Sequence, residues 1–275
     1  MDTVHIMVYL DGSSAARRAV TYLAPLARHS HVKITLLIDR PHEAEAETLF
    51  CNAEALLNAA NPPIRSIRGA TAERAIVLES KASQPDLVVF GPLSRGGWQR
   101  WLGQSAVRSL ARRLTTSILL MRGRPNELRR ALLCTAGGRE GIVDARMTAT
   151  LLGPLHGQAT VLHIVSQMPL MFNRDQRNPD FLAEVVMSEN TRVNRNIAAV
   201  QTVLKEAGVD VKIRIRVGMV VEQIKEELQV GGYDLLVIGA HHARTPLDRV
   251  LLEDLSTELL LDSPIPVLVV QNAGE

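Results

Sequence analysis

Residues 86–106 read DLVVFGPLSRGGWQRWLGQSA, and the fold turns on how this stretch divides. Leu87-Val88-Val89-Phe90 is a short, wholly apolar run, the pattern of a strand buried on both faces. Gly91, Pro92, Gly96, Gly97 and Gly103 then break the chain into a loop that carries Arg95 and Arg100, and a helix resumes near Ser105. A strand that opens into a glycine-rich basic loop and then a helix N-terminus can seat phosphate: backbone N–H groups point outward and the helix dipole favours negative charge. The start of the stretch recurs, Asp86–Gly91 returning as Asp234–Gly239, DLLVIG.

Upstream, strands alternate with helices. Val4–Leu10 reads as a buried strand ending at Asp11-Gly12-Ser13-Ser14, with Ser13 or Ser14 as a helix N-cap. A helix follows over Ala15–Arg28, a strand over Val32–Ile38, a helix over Glu43–Ala60, a strand over Ile64–Arg68 and a helix over Thr71–Ser83. Beyond the glycine loop come a helix over Ser105–Leu114 and a strand over Ser117–Met121. This alternation predicts βαβ units and an α/β fold with a parallel sheet.

Arg122–Glu127 combines charge, Gly and Pro without periodicity and reads as a linker. The pattern then restarts: a strand at Arg130–Thr135, a helix at Gly141–Leu155, a strand at Ala159–Val165, a helix from Phe181 to Ala207 and a half-exposed strand at Val209–Val217. Gly137 lies 126 residues after Asp11, Glu222 lies 149 after Glu73, and Asp234 lies 148 after Asp86. Near-constant offsets across successive elements mark a tandem duplication. The expected organisation is two doubly wound domains, residues 1–123 and 129–275, each an open five-stranded parallel sheet with helices on both faces. The segment 166–180 has no counterpart in the first half, and its Met168–Phe172 run is expected to cover a groove.

Composition excludes several functions. Net charge is +2 and aromatics are 3% of residues, so neither a nucleic-acid electrostatic footprint nor a base-stacking platform is present. No apolar run approaches membrane-spanning length. The start of the chain has no basic segment ahead of its first strand, so no signal peptide is expected. The two cysteines, Cys51 and Cys134, show no metal-type spacing and read as buried, inert thiols of a reducing cytoplasm. His241-His242 has no further ligand in sequence, so no metal is expected, and Gly103-Gln104-Ser105 lacks the final glycine of a nucleophile elbow. Trp98 and Trp101 are expected to pack rather than to cover a ligand.

Four segments resemble the universal stress protein family in a tandem, two-domain form. These are VYLDGSSAARRAVTYLA, the pair PDLVVFG and YDLLVIGAHH, GGWQRWLGQSAVRSLARR, and SPIPVLVV. The resemblance implies a stress-response protein that binds ATP in a regulatory rather than catalytic role. It places Asp11 at the sugar or base, Leu10 and Ile38 around adenine, and Gly91, Ser94, Gly103 and Ser105 at phosphates, with Ala106 alongside. Members that bind ATP carry a loop Gly-x2-Gly-x9-Gly-(Ser/Thr). Here Ser94 and Gln104 replace its second and third glycines, and Gly103 sits one place early.

The second half departs further. Ala136-Gly137 stands where the aspartate is expected, and Glu253 and Asp254 fall on the last loop positions. No acidic residue occurs between Asp86 and Glu127, whereas seven arginines do; between Gly239 and Asp262 two arginines face four carboxylates. An anion is therefore expected to prefer the first half. The alternative reading is a nucleotide-free module acting through protein partners. The final strands, 117–121 and 265–270, are the expected self-association surfaces, within one chain or between two.

Overall fold

Strand β1 (Val4–Leu10) is buried at all seven positions, because it lies in the middle of a parallel sheet. The computed structural model describes residues 3–38, 43–67, 71–92, 107, 109–123, 127–165, 191–240, 258–260 and 262–271. The chain divides into two compact units, Met1–Leu128 with Leu260–Glu275, and Arg129–Leu259.

In the first unit β1 is followed by α1 (Ser14–Ala27), β2 (Val32–Ile38), α2 (Glu43–Leu57), β3 (Ile64–Ile67), α3 (Ala72–Ser83), β4 (Leu87–Phe90) and β5 (Ser117–Leu120). The strand order is β3-β2-β1-β4-β5, all parallel. Right-handed crossovers running outward from β1 to β3, and then back to β4, set α1 and α2 on one face and α3 on the other. The last strand of the chain joins this unit, pairing antiparallel with β5 through Val267↔Leu120 and Val269↔Ile118. The unit therefore carries a sixth, antiparallel strand beside its five parallel ones. Residues 267–270 are apolar and buried, and β5 would otherwise present an open edge. Gln271 clamps the junction, its N–H donating to Ser117 Oγ (3.2 Å) and its side-chain amide to the Ala111 carbonyl (3.0 Å).

The second unit contains β6 (Arg130–Thr135), α4 (Gly141–Leu152), a 3-10 turn (Gly153–Leu155), β7 (Gln158–Val165), α5 (Arg192–Glu206), β8 (Asp210–Val217), α6 (Val220–Gly231) and β9 (Leu235–Ala240). Its described strands run β9-β6-β7-β8, all parallel. The final strand, β10 (Val267–Gln271), is the one that lies with the first unit. Helix α5 starts at Arg192, and residues 181–190 of the expected helix lie outside the described residues. Thr191 is extended, and its hydroxyl caps the helix by accepting from Asn194 N–H at 3.1 Å.

The duplication is visible in single hydrogen bonds. Asp86 Oδ2 accepts from His5 N–H (2.8 Å) while its own N–H donates to the His5 carbonyl (2.8 Å). Asp234 does the same with Arg130, at 2.9 and 2.8 Å. Register against the inner strands pairs Ile6 with Leu87 and Ala131 with Leu235, so the first-strand repeat is 125 residues, one fewer than the sequence suggests. Gly12 and Gly137 then coincide, both at φ +77°, and Asp11 coincides with Ala136. A strand buried on both faces has no polar alternation to pin its register, so a one-residue slip leaves no trace in composition. Helices α3 and α6 likewise coincide at 148, which aligns Glu79 with Glu227.

His5 gives the first unit a pH dependence. Its ring is buried, with Nε2 2.8 Å from Thr35 Oγ1, and it is hydrogen-bonded to the Ser83 backbone. Burial, and then the charge of Lys33, holds its pKa below the ordinary 6.5, against the opposing pull of Asp86 and Glu79. The unfolded chain therefore takes up this proton first. The contribution to stability is full above about 6.5 and is lost as pH falls through the folded value. Thermal melts at pH 7.5 and 5.5 should show the first unit losing more stability in wild type than in His5→Gln; equal losses would exclude the assignment.

Candidate functional site

In the first unit the connection from β1 leads to β2 on one side, while that from β4 leads to β5 on the other. The crevice at the carboxyl ends of β1 and β4 is thus the topological switch point, where open α/β sheets bind ligands. Leu10 ends β1 beside its register partner Ile38 at the end of β2, and both are buried, at 4% and 0% exposure. Asp11 comes next and is half-buried. Its Oδ1 accepts from Ser13 N–H (2.9 Å), and Ser13 Oγ accepts from Ala16 N–H (3.1 Å), so one turn both shapes the aspartate and caps α1.

Gly91 leaves β4 directly beneath this turn. A Cβ there would lie 2.6 Å from Ala15 Cβ, so glycine is required for α1 to approach the sheet, whatever its use toward a ligand. The structure thus gathers Leu10, Asp11, Ile38 and Gly91 at neighbouring strand ends. Ser94, Gly103, Ser105 and Ala106 lie outside the described residues, as do Trp98, Trp101, His241, His242, Glu253, Asp254 and the Met168–Phe172 run.

The same corner of the second unit is built differently. Thr135 stands in place of Leu10, Ala136 in place of Asp11, and His163, the register partner of Thr135, in place of Ile38. Thr135 Oγ1 accepts from Gly137 N–H (3.1 Å), His163 Nδ1 donates to the Thr135 carbonyl (3.0 Å), and Asn196 of α5 donates to the Gly137 carbonyl (2.8 Å). Val193 also packs onto Gly137. The strand end is thus tied to the unit's own side chains, and the carboxylate is gone.

Sequence reasoning missed two further features. Glu227 of α6 is fully buried, and its carboxylate is surrounded by donors. Tyr233 OH (2.7 Å) and Arg214 Nη1 (2.9 Å) reach Oε1, and Arg216 Nε and Nη2 (both 2.8 Å) reach Oε2. Burial pushes this carboxyl up, but the bonds from Tyr233, Arg214 and Arg216 outweigh burial and hold it below its ordinary value. The alternating cations of β8 and the 148-residue match to Glu79 were its signals. The other feature is a groove between α1 and α2 of about 440 Å³. No signal in the sequence points to it, because it arises from which faces of two helices meet. Cys51, expected to be buried, is exposed on α2, where its thiol donates to Glu47 Oε1 at 3.4 Å; α2 buries only Ala46, Ala53 and Leu57. Cys134 is half-buried, and burial pushes its thiol up.

Among the described residues there is no group of three His, Cys, Asp or Glu side chains placed to hold a metal, and no helix long and apolar enough to cross a membrane.

An open, mostly parallel α/β sheet with a turn aspartate at its switch point defines a class of small α/β proteins. Within it the family model of the universal stress protein family matches residues 128–271, just over half of the chain. The chain belongs to the universal stress protein family. Solved structures agree on the fold. A universal stress protein from Archaeoglobus fulgidus DSM 4304 is 13% identical, with 98% of this chain and 97% of that one covered at a TM-score of 0.63. A functionally unknown protein from Pseudomonas aeruginosa PAO1 is 16% identical, with 98% and 92% covered at 0.65. The cytoplasmic domain of a prokaryotic cation chloride cotransporter is 9% identical, with 100% and 97% covered at 0.53. No curated protein sequence matches the chain.

Proposed function

We propose that the chain is a regulatory nucleotide-binding protein of this family, which takes ATP in the first unit and does not turn it over. The observation that carries this reading is the contrast between the two strand ends. Asp11 stands at the switch point of the first unit, whereas Ala136 replaces it in the second and His163 and Asn196 tie that corner down. On the base and sugar side the residues suit a nucleotide: Leu10 and Ile38 offer an apolar contact, and the Asp11 carboxylate accepts hydrogen bonds. Arg95 and Arg100, with Ser94, Gly103 and Ser105, are the residues to supply phosphate contacts. No nucleophile or general base is assigned, so the nucleotide acts as a bound signal.

The test is calorimetry of the full chain with ATP and Mg²⁺, alongside mass analysis of any nucleotide released on denaturation. One ATP per chain is expected, with Asp11→Ala weakening it by about tenfold or more. No heat at millimolar ATP would end the reading, and two equivalents per chain would contradict its restriction to the first unit. A nucleotide-free interaction module is the second reading. The Gly91–Ala15 contact favours it, because it accounts for that glycine by packing alone.

A further inference from the structure

The groove between α1 and α2 adjoins the Asp11 turn, since Leu10, Gly12 and Ser13 line it, but extends away from it along the two helices. Its volume of about 440 Å³ lies inside the range of about 300–1,000 Å³ typical of small-molecule sites. Ala16 and Val20 of α1 face Leu49, Ala53 and Leu56 of α2 across it, an apolar bed with Arg17 and Asn52 at its margin.

Two observations bear on its use. Leu56 of α2 is left 36% exposed at its edge, whereas Ile197, Val200 and Leu204 of α5, the helix at the same place in the second unit's element order, are all buried.

The second observation is charge. Arg17 and Arg18 sit in the opening turns of α1, where the helix dipole disfavours cations, and the first turn holds no acidic residue. Arg18 Nη1 donates to Ser14 Oγ at 3.2 Å, while the Arg17 guanidinium meets no acceptor among the described residues. An exposed cation set against local preference, with no acceptor among the described residues, is the kind of local conflict expected at functional sites.

We propose that this groove binds a small amphipathic anion, with its apolar body lying over Ala53 and Leu56, its acid group on the Arg17 guanidinium and the Asn52 amide as a second donor. Arginine suits the task because its fork matches a carboxylate and is weakly hydrated, so it loses little on moving beside an apolar body.

The probe is 8-anilinonaphthalene-1-sulfonate, titrated by fluorescence into the full-length chain and displaced with decanoate or decanol. One saturable site per chain is expected, with decanoate displacing the dye at about tenfold lower concentration than decanol. Arg17→Gln should weaken both acids by about tenfold, and Ala55→Trp, an exposed position lining the groove, should abolish binding while the melting curve stays unchanged. Decanol matching decanoate, or dye binding that neither variant alters, would overturn the proposal. So would displacement of the dye by ATP, which would make the groove part of the nucleotide site.

Discussion

Glu227→Gln should destabilise the second unit by about 3 kcal/mol, because it breaks a buried, fully donated carboxylate and strands its donors. Five hydrogen-bond contacts from three side chains converge on that group, and its exposure is 0%. The cost stays at the lower end of the range for buried pairs because Arg214 is 51% exposed and can turn to water. At the duplicate position Glu79 accepts from Ser66 Oγ at 2.8 Å. Urea titrations that follow the second unit will read the loss. A Glu227→Gln effect within about 0.5 kcal/mol would show that the network is incidental.

The same group sets the acid limit of the second unit. The folded carboxyl is held below its ordinary 4.5, so the unfolded chain protonates first as pH falls. Its contribution is whole above that value and fades below it, and Glu227→Gln should remove that part of the acid dependence.

Gly123→Ala should cost the first unit about 3 kcal/mol and loosen β10. Gly123 has φ +59°, where any other residue pays a conformational penalty of about 1–2 kcal/mol. Beyond that, an added Cβ would run into the Pro264 carbonyl oxygen and lie 2.8 Å from its carbon, so the backbone entering β10 must move. Gly208→Ala isolates the first cost, because Gly208 is also at positive φ (+80°) and the nearest atom to its Cβ, His156 Nδ1, is 4.0 Å away. Hydrogen exchange should show β10 amides losing protection in Gly123→Ala while β1 keeps its own. Unchanged protection in β10 would mean that the turn does not hold the strand.

Much of this was legible in the residues. The apolar runs at β1, β2, β4 and β9, the repeated Asp-Leu pair before β4 and β9, and the capping serine of α1 each carry a local signal, because strand burial and helix capping are set within a few residues. Leu10, Asp11, Ile38 and Gly91 were singled out by the family resemblance, and local patterning showed only that they stand at strand ends and the turns after them. The exact repeat of the first strand was not legible, since a strand with two buried faces tolerates a slip of one without any change in pattern.

The sequence by itself determined the α/β class, the duplication, and the loss of the aspartate in the second half. The sequence also marked the last strands as pairing surfaces; tertiary structure alone decided that they pair within one chain, that Glu227 collects two arginines and a tyrosine, and that a groove stands open between α1 and α2. Each of these depends on contacts between residues far apart in the chain. Edge pairing, burial of charge and the fit of two helix faces are energies of juxtaposition, and no single segment contains them.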